Sequence, residues 1–354
     1  MLHALILGDA WPRVGRGKVT GTLRSSPDDF VVTELPLPML ADWRADQVLV
    51  EVRKRNLTTQ WVAGGLARHF GVPLRDVGHA GLKDRRAVTQ QYFSVRLPRA
   101  LPLHPWYEPG TELLQLLRTR TALRPGDLAG NAFRICVRSV SDPKLTESRL
   151  HYLRANPILP NYFGPQRFGN GAGNVDAVRG WANGERQPAG RFERGLWLSS
   201  ARALLFNLAL AERVQAGDWD RSIAGEARLH GAASGPLWGR GKPLVAGAAL
   251  ARCQATWDGQ ALACALLVRE GVRQDLRPWA MPILDLRWHW LALDMLSVEF
   301  RLAAGSYATT VLRELLPGNA QLERSGRPPS DGAGMAPNSN GYDGTHEDSD
   351  DDGH

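Results

Sequence analysis

Apolar and polar residues alternate with a period of two at Phe30–Glu34, at Val48, Val50 and Val52, through Gln90–Val95 and at Phe133, Ile135 and Val137, and the pattern returns at Leu296–Leu302. A two-residue period puts one set of side chains on a buried sheet face, so these segments predict strands. Helical spacing predicts helices over Thr58–Phe70, opened by Thr58 or Thr59 as a cap, and over Lys144–Ala155, Ser199–Ala216, Gly259–Glu270 and Ala308–Leu315. Interleaving without strict alternation predicts an α+β (mixed α/β) fold. A stretch rich in Pro, Gly, Asn and aromatics, Pro157–Asn174, opens a mainly helical third that lasts to Pro278–Pro282, and strand pattern resumes near Asp285. That order predicts a helical domain, 157–282, inserted into an α/β domain whose first part is 1–156 and whose last strand and helix are 283–318. From Asn319 the chain turns to Gly, Ser, Pro, Asn and Asp, which predicts a disordered acidic tail over 319–354.

Of 354 residues 43% are apolar and 22% charged, enough to build a sizeable core. Apolar runs such as Leu2–Leu7 and Ala261–Val268 fall far short of the roughly 18 to 20 residues of a membrane span. With neither a basic leader nor a cleavage site, a cytoplasmic chain with no membrane partner is expected. Three cysteines, Cys136, Cys253 and Cys264, make no disulfide framework and no CxxC, and are expected to be buried reduced thiols. The nine histidines are scattered and no HExxH occurs, so a metal is not expected. Charge is more informative once divided. Seven acids lie beyond Ser330, where no Lys or Arg remains, so residues 1–330 hold 43 basic against 29 acidic side chains, a net +14. A body this basic points to a polyanion, nucleic acid before membrane; a merely solvated basic surface is the alternative.

The segment His79-Ala80-Gly81-Leu82-Lys83-Asp84-Arg85-Arg86 embeds one carboxylate among three cations. Such an aspartate is an anion at neutral pH and suits a nucleophile or base without further activation. It equally suits a surface ion pair worth about 0 to 1 kcal/mol. Lys83, Arg85 and Arg86 suit phosphates, which position a nucleic acid without specifying it. Phe30, Phe133, Phe163, Phe168 and Tyr307 offer rings on which an unstacked base can rest, or simply core. Asn161–Gly169 runs into Gly169-Asn170-Gly171-Ala172-Gly173, which lacks the Lys-Ser/Thr of a phosphate loop and reads equally as a tight joint.

Seven ordered blocks resemble the TruD family of tRNA pseudouridine synthases: Asp29–Glu34, Lys54–Thr59, Ala80–Gln90, Gly130–Ile135, Asn161–Gly169, Ser199–Asn207 and Ala304–Thr309. The resemblance implies a pseudouridine-synthase catalytic domain, with a mixed β-sheet and flanking helices, interrupted by a TRUD insertion domain. It implies isomerisation of uridine 13 in the D arm of tRNA, with Asp84 as catalytic nucleophile or base and Phe30, Asn131 and Tyr307 near the target nucleotide. Tyr307 departs from the Phe of relatives, and its hydroxyl needs water or a partner. Lys83, Phe133, Gln166 and Arg167 match motif positions without an assigned role. No cofactor and no obligatory protein partner is implied beside the tRNA. A noncatalytic RNA-binding or tRNA-folding protein, and an enzyme acting on another RNA uridine, are the rival readings.

Overall fold

The computed structural model describes residues 5–6, 11–15 and 17–318. The tail expected over 319–354 lies outside the described residues. Strands β1 (Thr22–Leu23), β2 (Phe30–Pro36) and β3 (Gln47–Arg55) lead into helix α1 (Thr59–Phe70). Then come β4 (Val77–His79), β5 (Val88–Arg96), β6 (Thr111–Thr119), β7 (Leu128–Arg138), α2 (Pro143–Ala155) and β8 (Ile158–Pro160). The helical third holds α3 (Gly173–Ala182), α4 (Arg191–Ala216), β9 (Ala227–Leu229), β10 (Ala232–Leu237), α5 (Gly247–Trp257), α6 (Ala261–Arg269) and β11 (Asp275–Pro278). Strands β12 (Ala280–Pro282), β13 (Leu284–Ala292) and β14 (Met295–Ala303) and helix α7 (Ala308–Leu315) close the order.

Nine strands form one sheet, ordered β13-β14-β7-β2-β5-β3-β6, with β1 beside β7 and β4 beside β5. The pair β2–β5 is parallel and the other pairs in this sheet are antiparallel. Phe30, Val32 and Glu34 alternate onto the buried face and register opposite Ile135, Phe133 and Asn131 of β7. Two helical layers cover that face. Helices α2 and α7 supply Leu150, Leu153, Val311, Leu312 and Leu315 to a core over β7 and β14, while α1 packs Val62, Ala63 and Leu66 over β3 and β5. A third core, built on α3 to α6 with Tyr162, Phe168 and Trp279, also takes in Ile6 and Trp11.

Local chemistry explains the element ends. Thr58 caps α1 by accepting from Trp61 N at 3.1 Å, and Gly71 closes it at a φ of 65°, the left-handed region glycine enters without steric cost. Asp142 caps α2 ahead of Pro143. The helix expected over Gly259–Glu270 begins instead at Ala261, and α4 starts eight residues before the expected Ser199, at Arg191. Of the cysteines only Cys253 is buried; Cys136 and Cys264 are half-buried, and all three are free thiols. Among the described residues no helix is long and apolar enough to cross a membrane, and no three His, Cys, Asp or Glu side chains gather as a metal would require.

Candidate active site

The loop from Ala80 to Ala87 joins β4 to β5 beside the start of β2. Its backbone is tied down on several sides. Lys83 N donates to Thr59 Oγ1 at 2.9 Å, Thr59 Oγ1 meets Gln91 Oε1 at 3.0 Å, and Gln91 Nε2 donates to Gly81 O at 2.6 Å. From β3, the ammonium of Lys54 donates to Leu57 O at 2.7 Å and reaches Asp84 O at 3.4 Å. A loop held by a helix start, two strands and a buried cation presents its next side chain in one orientation.

That side chain is Asp84, 55% exposed, its Oδ2 accepting from Arg24 Nη2 at 2.7 Å. Arg24 itself is largely covered, its guanidinium carbon 4.2 Å from the centre of the Phe30 ring. Its plane is thereby fixed at both ends, by a carboxylate and by a ring face. Lys83 turns the other way. Its Nζ donates to Asn131 Oδ1 at 2.7 Å and stands 2.8 Å from Glu34 Oε2, off the hydrogen-bond axis, in an ion pair almost closed to solvent. An ammonium has only donors, so Asn131 must turn its carbonyl to Lys83 and its NH2 elsewhere. Burial drags the Lys54 ammonium down to about 8; Asp84 opposes that and Lys83 adds to it.

Tyr307 belongs to a second cluster. It precedes α7, and β14 brings the chain there after Leu302 and Ala303 register with Asn131 and Gly130. The Tyr307 hydroxyl accepts from Arg167 Nε at 3.0 Å and Nη2 at 2.8 Å, so the partner its phenol requires is Arg167. Arg167 also donates to Ser199 Oγ at 3.0 Å. Behind them Arg277 lies 4.0 Å over Phe163 and donates to Asn161 O, Asn161 Oδ1 and Gly305 O at 3.0, 2.6 and 3.0 Å. Burial lowers Arg277 to about 10, partly offset by Tyr307 and reinforced by Arg167.

Asp84, Phe30 and Asn131 are therefore gathered around one loop, through Arg24 and Lys83, whereas Tyr307 is held by the Asn161–Gly169 segment. Phe30, Phe133 and Phe168 are buried, so as they stand only Phe163 and Tyr307 of the five rings offer partly open surface. A concavity of about 660 Å³ lies elsewhere, lined by the opposite-face side chains Val31, Thr33, Arg134 and Arg301. Arg24 and Arg277 escaped the sequence reading. Neither stands in a patterned segment, and only the fold brings Arg24 across 60 positions to Asp84.

A family model for tRNA pseudouridine synthase D (TruD) matches residues 14–178. The tRNA pseudouridine synthase D of Nitrosococcus oceani is 39% identical over 333 residues, covering 84% of this chain and 90% of that one. The chain belongs to the tRNA pseudouridine synthase D family. A second TruD relative, from Cellvibrio japonicus, is 38% identical over 330 residues, covering 91% of this chain and 97% of its own. In fold, the chain is similar to a solved TruD structure from Methanosarcina mazei, with a TM-score of 0.63 at 19% identity over 86% of this chain and 95% of that one. The TruD match runs through Phe30, Asp84 and Asn131, and the longer TruD alignments extend well beyond it.

Proposed function

We propose that this protein isomerises a uridine of tRNA to pseudouridine, at position 13 of the D arm, with Asp84 as the catalytic carboxylate. The observation that carries the reading is the half-exposed Asp84 carboxylate on a loop otherwise pinned by Thr59, Gln91 and Lys54. The target uridine leaves its stack at a cost of a few kcal/mol, repaid by contacts to a basic surface. Asp84 then attacks the nucleotide or removes a proton. The C1′–N1 bond breaks, the uracil turns, C5 bonds to C1′, and the proton lost from C5 balances the one gained at N1. No electrons leave the substrate.

Arg24 aims the carboxylate, and the NH2 of Asn131, turned away from Lys83, suits a uracil carbonyl. Phe30 lies under Arg24, so a base that stacks on it displaces that guanidinium, while Tyr307 meets the nucleotide from the second cluster. The apolar core on α3 to α6 supports an inserted unit over 157–282 within a catalytic body of 1–156 and 283–318, and two early residues, Ile6 and Trp11, join the inserted core.

Wild type and Asp84→Asn are to be incubated with unmodified tRNA and the pseudouridines mapped at nucleotide resolution. The variant is expected to lose more than about 10³-fold in rate while tRNA affinity stays within a few-fold. A joint loss of binding and product would make Asp84 a positioning residue, and product at another uridine would reassign the substrate.

A further inference from the structure

The loop 37–46, between β2 and β3, and the start of the loop 97–110, between β5 and β6, lie at the sheet end remote from Asp84, and the second loop then runs back to Thr111, opposite Lys54. The seven residues of β2 put that end about 20 Å from Phe30. One side chain organises both loops. Arg118 of β6 donates through Nη1 to Ala45 O and Leu97 O, each at 3.1 Å, and through Nη2 to Leu101 O at 2.7 Å, with Pro98 O and Arg99 O at 3.4 Å. Asp42 N donates back to Arg118 O at 2.8 Å, and the Asp42 carboxylate accepts from Arg44 N at 2.9 Å. A guanidinium surrounded by backbone carbonyls is a structural rivet, and it brings two loops together around one ring.

That ring is Trp43, 66% exposed, with the Arg44 guanidinium carbon 4.8 Å and that of Arg99 5.0 Å from its centre. Among the described residues neither Arg44 nor Arg99 has a carboxylate within ion-pair distance, whereas the neighbouring Arg96 and Arg120 are paired with Asp46 and Asp42. An indole held in water against two guanidinium groups, of which Arg44 feels the Asp42 carboxylate only through space, gains little for stability. It has the composition that receives an unstacked base, a π-face for the ring and cations for the flanking phosphates.

We propose that Trp43, with Arg44 and Arg99, is a second RNA contact that receives an unstacked nucleobase of the substrate tRNA outside the stem that carries the reacting uridine. The proposal rests on the reading of the protein as a tRNA-modifying enzyme. Protein interfaces also favour Trp, Tyr and Arg, but two guanidinium groups with no direct ion pair among the described residues, on a basic body, favour a polyanion.

The test measures tRNA affinity by equilibrium binding and turnover by pseudouridine mapping for wild type, Trp43→Ala, Trp43→Phe and the pair Arg44→Ser with Arg99→Ser. All four proteins are melted first to show equal folding. Trp43→Ala is expected to weaken tRNA binding by about 5-fold or more and to raise KM with kcat within two-fold, while Trp43→Phe keeps most of the affinity. The arginine pair should flatten the dependence of log Kd on log salt. Ultraviolet crosslinking should join tRNA to the peptide containing Trp43. Unchanged Kd in Trp43→Ala with no crosslink at that peptide overturns the proposal, and leaves a protein as the occupant to seek. If wild type makes no pseudouridine, the catalytic reading fails, yet the binding and crosslinking arms still decide the role of Trp43.

Discussion

Lys54 has almost no accessible surface, and its ammonium holds the carbonyls of Leu57 and Asp84 with no carboxylate within ion-pair distance among the described residues. Burial lowers its folded value to about 8 from an ordinary 10.5. Below pH 8 it is charged in both states, and the folded protein bears the full cost of burying that charge. Between pH 8 and 10.5 the folded protein releases the proton first, so this residue's contribution to stability rises with pH. Urea midpoints at pH 7 and pH 10 for wild type and Lys54→Met should show wild type gaining relative to the variant at the higher pH. An equal shift in both proteins would mean that Lys54 titrates normally. Asp84 stood out beforehand because its cationic neighbours adjoin it in the chain, whereas Tyr307 was marked only by the Ala304–Thr309 block that resembles the TruD family, and the need of its hydroxyl for a partner followed from there. Arg24 was not, since nothing around Leu23 to Ser25 marks it and its value lies in where β2 begins.

Helix α1 opens with two threonines that do different things. Thr58 caps the helix, while Thr59 holds Lys83 N and Gln91, and so sets the height of the Asp84 loop above the sheet. Thr58→Ala should cost about 1 kcal/mol of stability with kcat nearly unchanged. Thr59→Val keeps the shape but leaves Lys83 N and the Gln91 carboxamide short of a partner, a cost of about 1 to 3 kcal/mol. It should also lower kcat at least several-fold through loss of loop order. Denaturation and kinetics on the two variants separate cap from anchor; equal kinetics would deny Thr59 that role. Expected elements emerged where periodicity was strong: α7 matches residue for residue, and β2, β3, β5, β7 and β14 each hold their alternating segment. Strands such as β4, β8 and β12, three residues each, are too short to show a period. Helices α3 and α5 went unread because Gly and Ala weaken their apolar stripes.

A body with a net +14 over residues 1–330 makes the encounter with RNA ionic at long range. Raising salt from 50 to 200 mM should weaken tRNA binding about ten-fold or more, as a titration of Kd against ionic strength would show. A flat response would mean that shape and stacking alone carry the affinity. Within the same body, β7 has β2 on one edge and β14 on the other, although β14 begins more than 150 positions after β7 ends. A growing chain leaves the ribosome at about 5 to 20 residues per second. For on the order of ten seconds, then, β7 waits with one side unpaired while the helical third is still being made. An open edge of that kind recruits whatever strand comes next. Yield in the cell should therefore depend on how quickly translation passes through the helical third and on whether a chaperone covers β7 in the meantime.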